Sequence, residues 1–245
     1  MNKSLLILTG HSKGLGRAIL DAYLKKDEFE IIGISRTKLD LDNPKLTEVS
    51  IDLGDSEMLE SKLSSLFPEG DYKEVILINN AGWIGEIKAV GSFQVKMMRE
   101  QVNINLLAPM YLTNAFVDAY KDSIAKKIIC NISSGAASKP MEGWGNYCST
   151  KAAIAMFTKV AAKENTDSQF RFFSIAPGIV DTQMQHEIRL ADGLHFPEIG
   201  RFKRYKENGD LSSPESVADK ISFLLSNESE FRDVIQDVRN FDLPD

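Results

Sequence analysis

Two residues four positions apart, Tyr147 and Lys151, have the types and the spacing of an acid–base pair. On a helix this spacing places both side chains on one face, one turn apart. A lysine ammonium beside a phenol favours the phenolate, so Lys151 is expected to lower the tyrosine pKa from its free value of ~10. Such a tyrosine could act as a general acid or base. Because the same spacing occurs by chance on many helices, the choice between the two interpretations depends on the rest of the chain.

The chain around this pair alternates between apolar runs typical of buried parallel strands and patterns typical of helices. The predicted strands cover residues 5–8, 29–34, 49–53, 75–78, 127–132 and 170–175, with an edge strand at 233–238. The predicted helices cover residues 15–25, 56–66, 93–120, 147–164 and 214–225. This alternation predicts an α/β fold, a parallel sheet with helices on both faces joined by right-handed crossovers.

Local signals predict several helix ends. Ser56 is predicted to cap the second helix. Ser213, Pro214 and Glu215 give the last helix a cap, a first-turn proline and a first-turn acid, in that order. Pro109 lacks a backbone donor, so the long third helix is expected to kink or break near it.

The 245 residues are predicted to form a single domain, since no composition shift, internal repeat or low-complexity segment divides them. This length is sufficient to bury a sizeable core. Residues 181–211 are the one long insertion without a predicted strand, and such segments are commonly lids or binding loops. We therefore expect one domain over residues 1–245 with a substrate lid at about 181–211.

Charge and composition argue against several classes of function. The formal net charge of −6 disfavours a nucleic-acid-binding surface. No apolar run approaches the ~18 residues of a membrane span, and the first residues lead into a strand without a signal peptide. Cys130 and Cys148 have no spacing of a disulfide framework or a metal site, so no metal is expected. We expect a cytoplasmic protein with neither a nucleic-acid nor a membrane partner.

A glycine-rich turn joins the first strand to the first helix, with Gly10, Gly14 and Gly16 in a G-x-x-x-G-x-G spacing. Glycines allow close backbone approach, and the helix N-terminus offers free amides to a pyrophosphate. The spacing differs from the G-x-G-x-x-G dinucleotide fingerprint. The turn therefore indicates either a nucleotide site or a tight connection that only saves space.

The end of the second strand bears on the choice of dinucleotide. NAD-binding folds hold the ribose 2′-hydroxyl with an acid about 20 residues after the glycines. Here Ser35, Arg36 and Thr37 occupy that region, and the first acid is Asp40. A guanidinium suits a 2′-phosphate, and Lys13 could add a second charge. The pattern favours NADP, although two solvated surface cations would look the same.

Several chemistry-bearing residues fall where predicted strands end. Ligands of open α/β sheets bind beyond the carboxyl ends of the strands. The residues at such ends are the glycine turn, Arg36, Asp52, Asn80, Ser134 and Pro177-Gly178. This concentration favours a functional interpretation of the Tyr147–Lys151 pair.

Taken together, these motifs resemble those of the short-chain dehydrogenase/reductase family. The matching pieces are Thr9-Gly10-x-x-x-Gly14-x-Gly16, Asp52-Leu53, Asn79-Asn80-Ala81-Gly82, Asn105, Ser134, Tyr147-x-x-x-Lys151 and Pro177-Gly178-x-x-x-Thr182. They occur in the family's order over most of the chain. Ser134 matches the family's spacing to the tyrosine better than Ser133, and Asn105 matches better than Asn103. The resemblance implies a Rossmann-type doubly wound parallel sheet of about seven strands in the order 3-2-1-4-5-6-7.

The resemblance also implies roles for the site residues. Tyr147 would protonate a carbonyl oxygen, Lys151 would lower the tyrosine pKa, and Ser134 would polarise the carbonyl. Asn105 would help to hold a water in a proton relay through Lys151. The residues expected to bind NADPH are Gly10, Ser12, Lys13, Gly14, Leu15, Gly16, Ser35, Arg36, Asp52, Leu53, Asn80, Ala81, Gly82, Tyr147, Lys151, Pro177, Gly178, Val180 and Thr182.

Within the family, the chain is similar to sepiapterin reductases and, more closely, to benzil reductases that form (S)-benzoin. This similarity implies reduction of one ketone of an aromatic or bulky vicinal dicarbonyl, with Trp83, Ser134, Trp144 and Met184 contacting the substrate. The alternatives are a sepiapterin reductase, a broad carbonyl reductase and a non-catalytic NADP sensor on the same fold. The family also implies a homodimer that pairs the helices near 93–120 and 147–164, whose apolar residues could instead pack on the sheet.

Overall fold

The computed structural model describes residues 3–166 and 169–244. Within these residues the strands are β1 Lys3–Thr9, β2 Phe29–Ser35, β3 Leu46–Ser50, β4 Tyr72–Asn79, β5 Lys126–Ile132, β6 Phe170–Ala176 and β7 Ile235–Asp237. They form one seven-stranded sheet in the order β3-β2-β1-β4-β5-β6-β7, and each neighbouring pair is parallel. The predicted Rossmann-type doubly wound sheet and its strand order are confirmed.

In the described residues, α-helices connect successive strands everywhere except between β2 and β3, which are joined by a loop. They are α1 Gly14–Leu24, α2 Ser56–Lys62, α3 Val95–Val102, α4 Ala108–Tyr120, α5 Gly145–Glu164, α6 Gln183–Arg189, α7 Ile199–Glu207 and α8 Pro214–Ser226. None of the helices in residues 3–166 and 169–244 is long and apolar enough to cross a membrane.

The central strands are apolar throughout because helices cover both faces of the sheet. Leu6 and Leu8 of β1 belong to a core cluster shared with α1 and α8. Ile7, which points to the opposite face, belongs to a second cluster shared with α4. All three side chains are fully buried. The sheet is therefore packed between two helix layers, and this packing fixes the positions of the strand ends.

The third strand lies three residues before its predicted position at 49–53. Its ladder with β2 pairs Ile31 with Leu46 and Ser35 with Ser50, so the strand includes the polar residues Thr47 and Glu48. Pairing with β2, and not apolar character, sets its bounds. Asp52, expected at the end of this strand, lies in the turn that follows it.

Helix caps follow the sequence signals at one of two predicted sites. Ser213 Oγ accepts a hydrogen bond from Ser216 N (3.1 Å) and Pro214 begins α8, as predicted. The predicted cap at Ser56 is wrong. Asp55 precedes α2 and its Oδ1 accepts from Met58 N (3.0 Å), because a carboxylate one residue earlier already occupies the capping position.

The predicted break near Pro109 is confirmed and lies just before that proline. Between α3 and α4 the chain forms one π-helical turn, Asn103–Leu107, in which Ala108 N–H donates to the carbonyl of Asn103. Pro109 falls in the first turn of α4, where a missing N–H is tolerated. The wider turn holds Asn105, one of the predicted site residues.

Residues 181–211 form an insertion that contains α6 and α7. The two ends of this insertion lie next to each other. Val180 and Ser212 form an isolated parallel bridge, and Asp181 N donates to Ser212 O (2.9 Å). The insertion packs over the carboxyl end of the sheet through a third apolar cluster that contains Phe196 and Phe202.

Candidate active site

A cleft of about 560 Å³ opens at the carboxyl end of the sheet. All of the predicted site residues except Asn105 line it, although they come from turns spread over the whole chain. Further lining residues, which were not predicted, are Thr37, Ile51, Ile84, Glu100, Ile104, Ile132, Ser133, Gln183, Gln185, Glu187 and Ile188. Ile188 follows Met184 by one helical turn, so helical spacing could have identified it.

The tyrosine and the lysine lie on one face of α5, as their spacing predicted, but burial dominates their titration. Lys151 Nζ donates to the carbonyl of Ile132 (2.8 Å) and lies 5.8 Å from the centroid of the Tyr147 ring. Burial raises the pKa of the Tyr147 phenol to about 12, and a hydrogen bond from Ser134 opposes this shift. Burial lowers the pKa of the Lys151 ammonium to about 8.

The expectation that Lys151 lowers the tyrosine pKa is therefore wrong for this structure. Desolvation penalises the charged form of both groups and is the largest cause of each shift. The upward shift in the pKa of Tyr147 is opposed by the hydrogen bond from Ser134 and not by Lys151. The consequence is a phenol that keeps its proton at neutral pH. That state suits a proton donor better than a proton acceptor.

Ser134 is placed to donate a hydrogen bond. It precedes a short 3₁₀ turn, Gly135–Ala137, and its Oγ accepts from Ala136 N (3.1 Å). Because this bond occupies one lone pair, the hydroxyl hydrogen stays free to point at Tyr147 or at a ligand.

Asn105 is buried beneath the cleft and does not line it. Its Oδ1 accepts from Trp83 N (2.8 Å) and its Nδ2 donates to Trp83 O (2.8 Å). The side chain therefore fixes the backbone after β4. This pairing gives no support to the expected role of the Asn105 side chain in a water-mediated relay.

The glycine turn leaves no room for larger residues. A Cβ at Gly16 would lie 2.1 Å from the carbonyl oxygen of Gly10, and one at Gly10 would lie 3.0 Å from Ala81 Cα. Gly10 and Gly14 have φ values of +69° and +55°, which favour glycine. No side-chain cap is made at Lys13, which precedes α1, and the first residues of α1, Gly14, Leu15 and Gly16, line the cleft. This cradle fits a pyrophosphate group.

The far end of the cleft carries positive charge. Arg36 and Lys13 are exposed, and within the described residues no ion pair engages either side chain. Of the nearby acids, Asp52 accepts from Gly54 N (2.9 Å) and so caps its own turn. The two free cations fit a phosphate monoester next to the adenosine end of a dinucleotide.

The other end of the cleft has an aromatic wall. The Trp144 ring stacks on Phe196, with 5.6 Å between centroids, and meets Tyr147 edge-on at 5.5 Å. Phe202 packs against the same tryptophan at 5.4 Å. Neither phenylalanine was predicted, because no periodic pattern marks them within the 181–211 insertion.

A tight turn brings this wall to the start of α5. Gly143 has a φ of +79°, and a Cβ there would lie 2.5 Å from the carbonyl oxygen of His195. The turn therefore needs glycine to let the insertion approach the start of α5. Among the described residues, no group of three or more His, Cys, Asp or Glu side chains could hold a metal ion.

Comparisons with known proteins identify the family of the chain. The model of the short chain dehydrogenase family matches residues 4–193. Benzil reductase ((S)-benzoin forming) of Bacillus subtilis (strain 168) is 38% identical over 242 residues, covering 97% of this chain and 99% of that protein. Sepiapterin reductase of Meriones unguiculatus is 32% identical over 254 residues, covering 92% of each. The structure of 4-hydroxyisoleucine dehydrogenase complexed with NADH superposes with a TM-score of 0.78 at 26% identity, covering 96% of each chain.

Proposed function

The chain belongs to the short-chain dehydrogenase family and is an oxidoreductase of carbonyl or CH–OH groups; within that class we propose a cytoplasmic, NADPH-dependent reductase of vicinal dicarbonyls. The observation that carries the proposal is the position of Tyr147. Its protonated phenol lines the same cleft as the glycine cradle and Trp144 of the aromatic wall. A carbonyl placed there can meet a hydride on one side and a proton on the other.

Each of the three polar residues around the reacting carbonyl has a separate task. A bound reduced nicotinamide supplies the hydride. Tyr147 gives its proton to the carbonyl oxygen as negative charge develops there. Ser134 donates its free hydroxyl hydrogen to the same oxygen and stabilises that charge. Lys151, when protonated, stabilises the phenolate that remains on Tyr147.

The aromatic wall supports a substrate with a flat apolar flank. Trp144 and Met184 line the cleft beside Tyr147, and Trp83 lines it after β4. The second carbonyl of a vicinal dicarbonyl withdraws electrons from the first and makes it a better hydride acceptor. The curated relatives named as benzil reductases support this choice of substrate class.

We predict that benzil is reduced with a higher kcat/KM than a simple aliphatic ketone. A ring that buries ~100 Å² gains ~2.5 kcal/mol, which corresponds to roughly 60-fold. The measurement is loss of NADPH absorbance at 340 nm with benzil, sepiapterin and an aliphatic ketone. The highest kcat/KM on the aliphatic ketone would show that the aromatic wall does not select the substrate. No turnover of any carbonyl, with NADPH binding intact, would favour the non-catalytic sensor.

Sepiapterin is the second candidate because sepiapterin reductases are also similar to this chain. A pterin needs a buried polar anchor for its amino and amide groups. The C-terminal segment 233–237 could offer the carboxylates of Asp233 and Asp237, but neither lines the cleft, and Asp237 pairs with Arg239 (Nε–Oδ1 2.8 Å). This pairing favours the dicarbonyl.

The activity is predicted to fall as the pH rises through about 8. Burial lowers the pKa of Lys151 to about 8, so the ammonium loses its proton in that range, whereas Tyr147 stays protonated. The reductive kcat/KM should therefore drop by about tenfold per pH unit above this pKa. In Lys151→Arg the positive charge persists at alkaline pH. The residual activity of this variant should therefore show no fall in kcat/KM near pH 8. A limb that stays in place in this variant would assign the titration to another group.

We also predict a homodimer through α4 and α5. Ala119 and Val160 are exposed, as is Met156, at 59% of its surface. Phe116, by contrast, is fully buried against Tyr120 and Phe67, so it packs in the core and does not support an interface.

Light scattering at micromolar concentration should give the mass of two chains. Val160→Glu should shift the population toward single chains because it buries a charge at the interface. The matched control is Val90→Glu, a change at an exposed valine outside these helices. A single-chain mass for the unmodified protein would contradict the dimer.

A further inference from the structure

His11, inside the glycine turn, has a buried side chain that does not line the cleft. Its ring lies over Gly33 of β2, where a Cβ would come within 2.8 Å of the ring atoms. Gly33 is the ladder partner of Glu48 on β3. The ring thus crosses β2 at a residue without a side chain, and its Nε2 reaches Glu48 Oε1 at 2.6 Å.

The carboxylate of Glu48 connects His11 to the loop that follows β2. Its Oε1 also accepts from Leu39 N (2.8 Å), and its Oε2 accepts from Asp40 N (3.0 Å). Asp40 has a φ of +51°, a left-handed conformation that is uncommon for a residue other than glycine. Burial opposes ionisation of Glu48, but hydrogen bonds from His11, Leu39 and Asp40 outweigh it and hold the pKa of the carboxyl below its usual range. Glu48 is therefore an acceptor, and His11 Nε2 carries a hydrogen.

The same loop carries Arg36. The carbonyl of Arg36 accepts from Ser50 Oγ (3.1 Å), and Ser35 Oγ donates to the carbonyl of Thr37 (2.5 Å). With Glu48 binding residues 39 and 40, the loop backbone is held on both sides of Arg36 while the guanidinium stays exposed. Because the loop backbone is already fixed, less conformational entropy is lost when a ligand binds Arg36.

We propose that His11 and Glu48 are positioning residues for cofactor choice: together they fix the 36–40 loop so that Arg36 meets the 2′-phosphate of NADP(H). This inference rests on the proposed NADPH dependence. His11 lies in the glycine turn proposed to hold the pyrophosphate, and Glu48 lies on β3 and binds the loop that carries Arg36. The pair therefore links the pyrophosphate side of the proposed adenosine site to its 2′-phosphate side. Its loss should weaken ligands that carry a 2′-phosphate and spare those that lack one.

Calorimetry with 2′,5′-ADP and 5′-AMP separates these two effects without turnover. Glu48→Ala and His11→Ala should each weaken 2′,5′-ADP by about tenfold, the equivalent of ~1.4 kcal/mol. Their affinity for 5′-AMP should stay within about twofold. Glu48→Gln should retain most of the affinity because its Oε1 can still accept. The ratio of kcat/KM for NADPH over NADH should fall by the same factor, through KM and not kcat.

Two controls distinguish positioning from loss of stability. Glu30→Gln changes an exposed carboxylate on β2, and Phe116→Leu weakens the core behind α4; neither should change the ratio of the two affinities. Equal losses for 2′,5′-ADP and 5′-AMP in both His11→Ala and Glu48→Ala would overturn the inference. Unchanged 2′,5′-ADP affinity in both variants would do so as well.

An Arg36→Ala variant separates this inference from the proposed function. If Arg36→Ala leaves the affinity ratio unchanged, the NADPH proposal and the positioning role both fail. If Arg36→Ala lowers the ratio and Glu48→Ala does not, only the positioning role fails. Adding Glu48→Ala to Arg36→Ala should cause little further loss of 2′,5′-ADP affinity, since the two changes remove one interaction.

Discussion

Tyr147→Phe is expected to lower kcat for carbonyl reduction by ~100-fold or more and to leave NADPH affinity within about twofold. The substitution removes the hydroxyl that gives the proton but keeps the ring, which meets Trp144 edge-on at 5.5 Å. Because burial holds the phenol protonated, the proton is present throughout the neutral range. The loss should therefore be in kcat and should not depend on pH below about 8.

Tyr120→Phe is the matched control. Tyr120, the last residue of α4, is also buried and has a raised pKa, but its hydroxyl donates to Pro68 O, outside the cleft. Its replacement should alter stability and leave turnover unchanged. Steady-state kinetics with benzil and a direct measurement of NADPH binding separate the two effects. If Tyr147→Phe kept more than about a tenth of the activity, general acid catalysis could not be assigned to this residue.

The unmodified protein is expected to prefer NADPH strongly over NADH, and Arg36→Asp should reverse that preference. Arg36 is exposed at the adenosine end of the cleft and within the described residues has no ion-pair partner. Hydrogen bonds to a charged group contribute ~1.5–3 kcal/mol, so kcat/KM for NADPH should fall by roughly 10–100-fold. The new carboxylate would also repel the 2′-phosphate and could accept from the 2′-hydroxyl of NADH.

Lys38→Asp is the control for this change of charge. Lys38 is exposed two residues further along the same loop and does not line the cleft. It should change the preference far less than Arg36→Asp, although the two variants have the same net charge. Equal kcat/KM values for the two cofactors in the unmodified protein would contradict the predicted preference.

The fold could be predicted from the sequence where hydrophobic patterning alone specifies it. A short continuous apolar run such as 75–78 is typical of a strand that is covered by helices on both faces of the sheet, and this pattern can be recognised in the sequence. The position of β3 could not be predicted in this way, because Thr47 and Glu48 join the strand through their ladder with β2. Likewise Asp55, and not Ser56, caps α2, since two adjacent polar residues compete for one position.

The membership of the site was predictable, but its electrostatics were not. Strand ends and glycine spacing indicated part of the cleft, and the family resemblance supplied the other predicted residues, but eleven lining residues were not predicted. The pKa of Tyr147 depends on how completely the aromatic cluster desolvates it, and that cluster includes Phe196 from a segment without a pattern. His11 gave no signal either, because its partner Glu48 is 37 residues away and meets it only across Gly33.

The chain has two tryptophans, Trp83 and Trp144, and both line the same cleft. Its tryptophan fluorescence, excited selectively over that of the six tyrosines, therefore comes from residues that line the proposed active site. Quenching or a shift of the emission would report ligand binding in the cleft with no attached dye and no background from remote indoles. With Trp83→Phe and Trp144→Phe, the contributions of the two tryptophans can be resolved, so one optical titration can follow the cleft during binding.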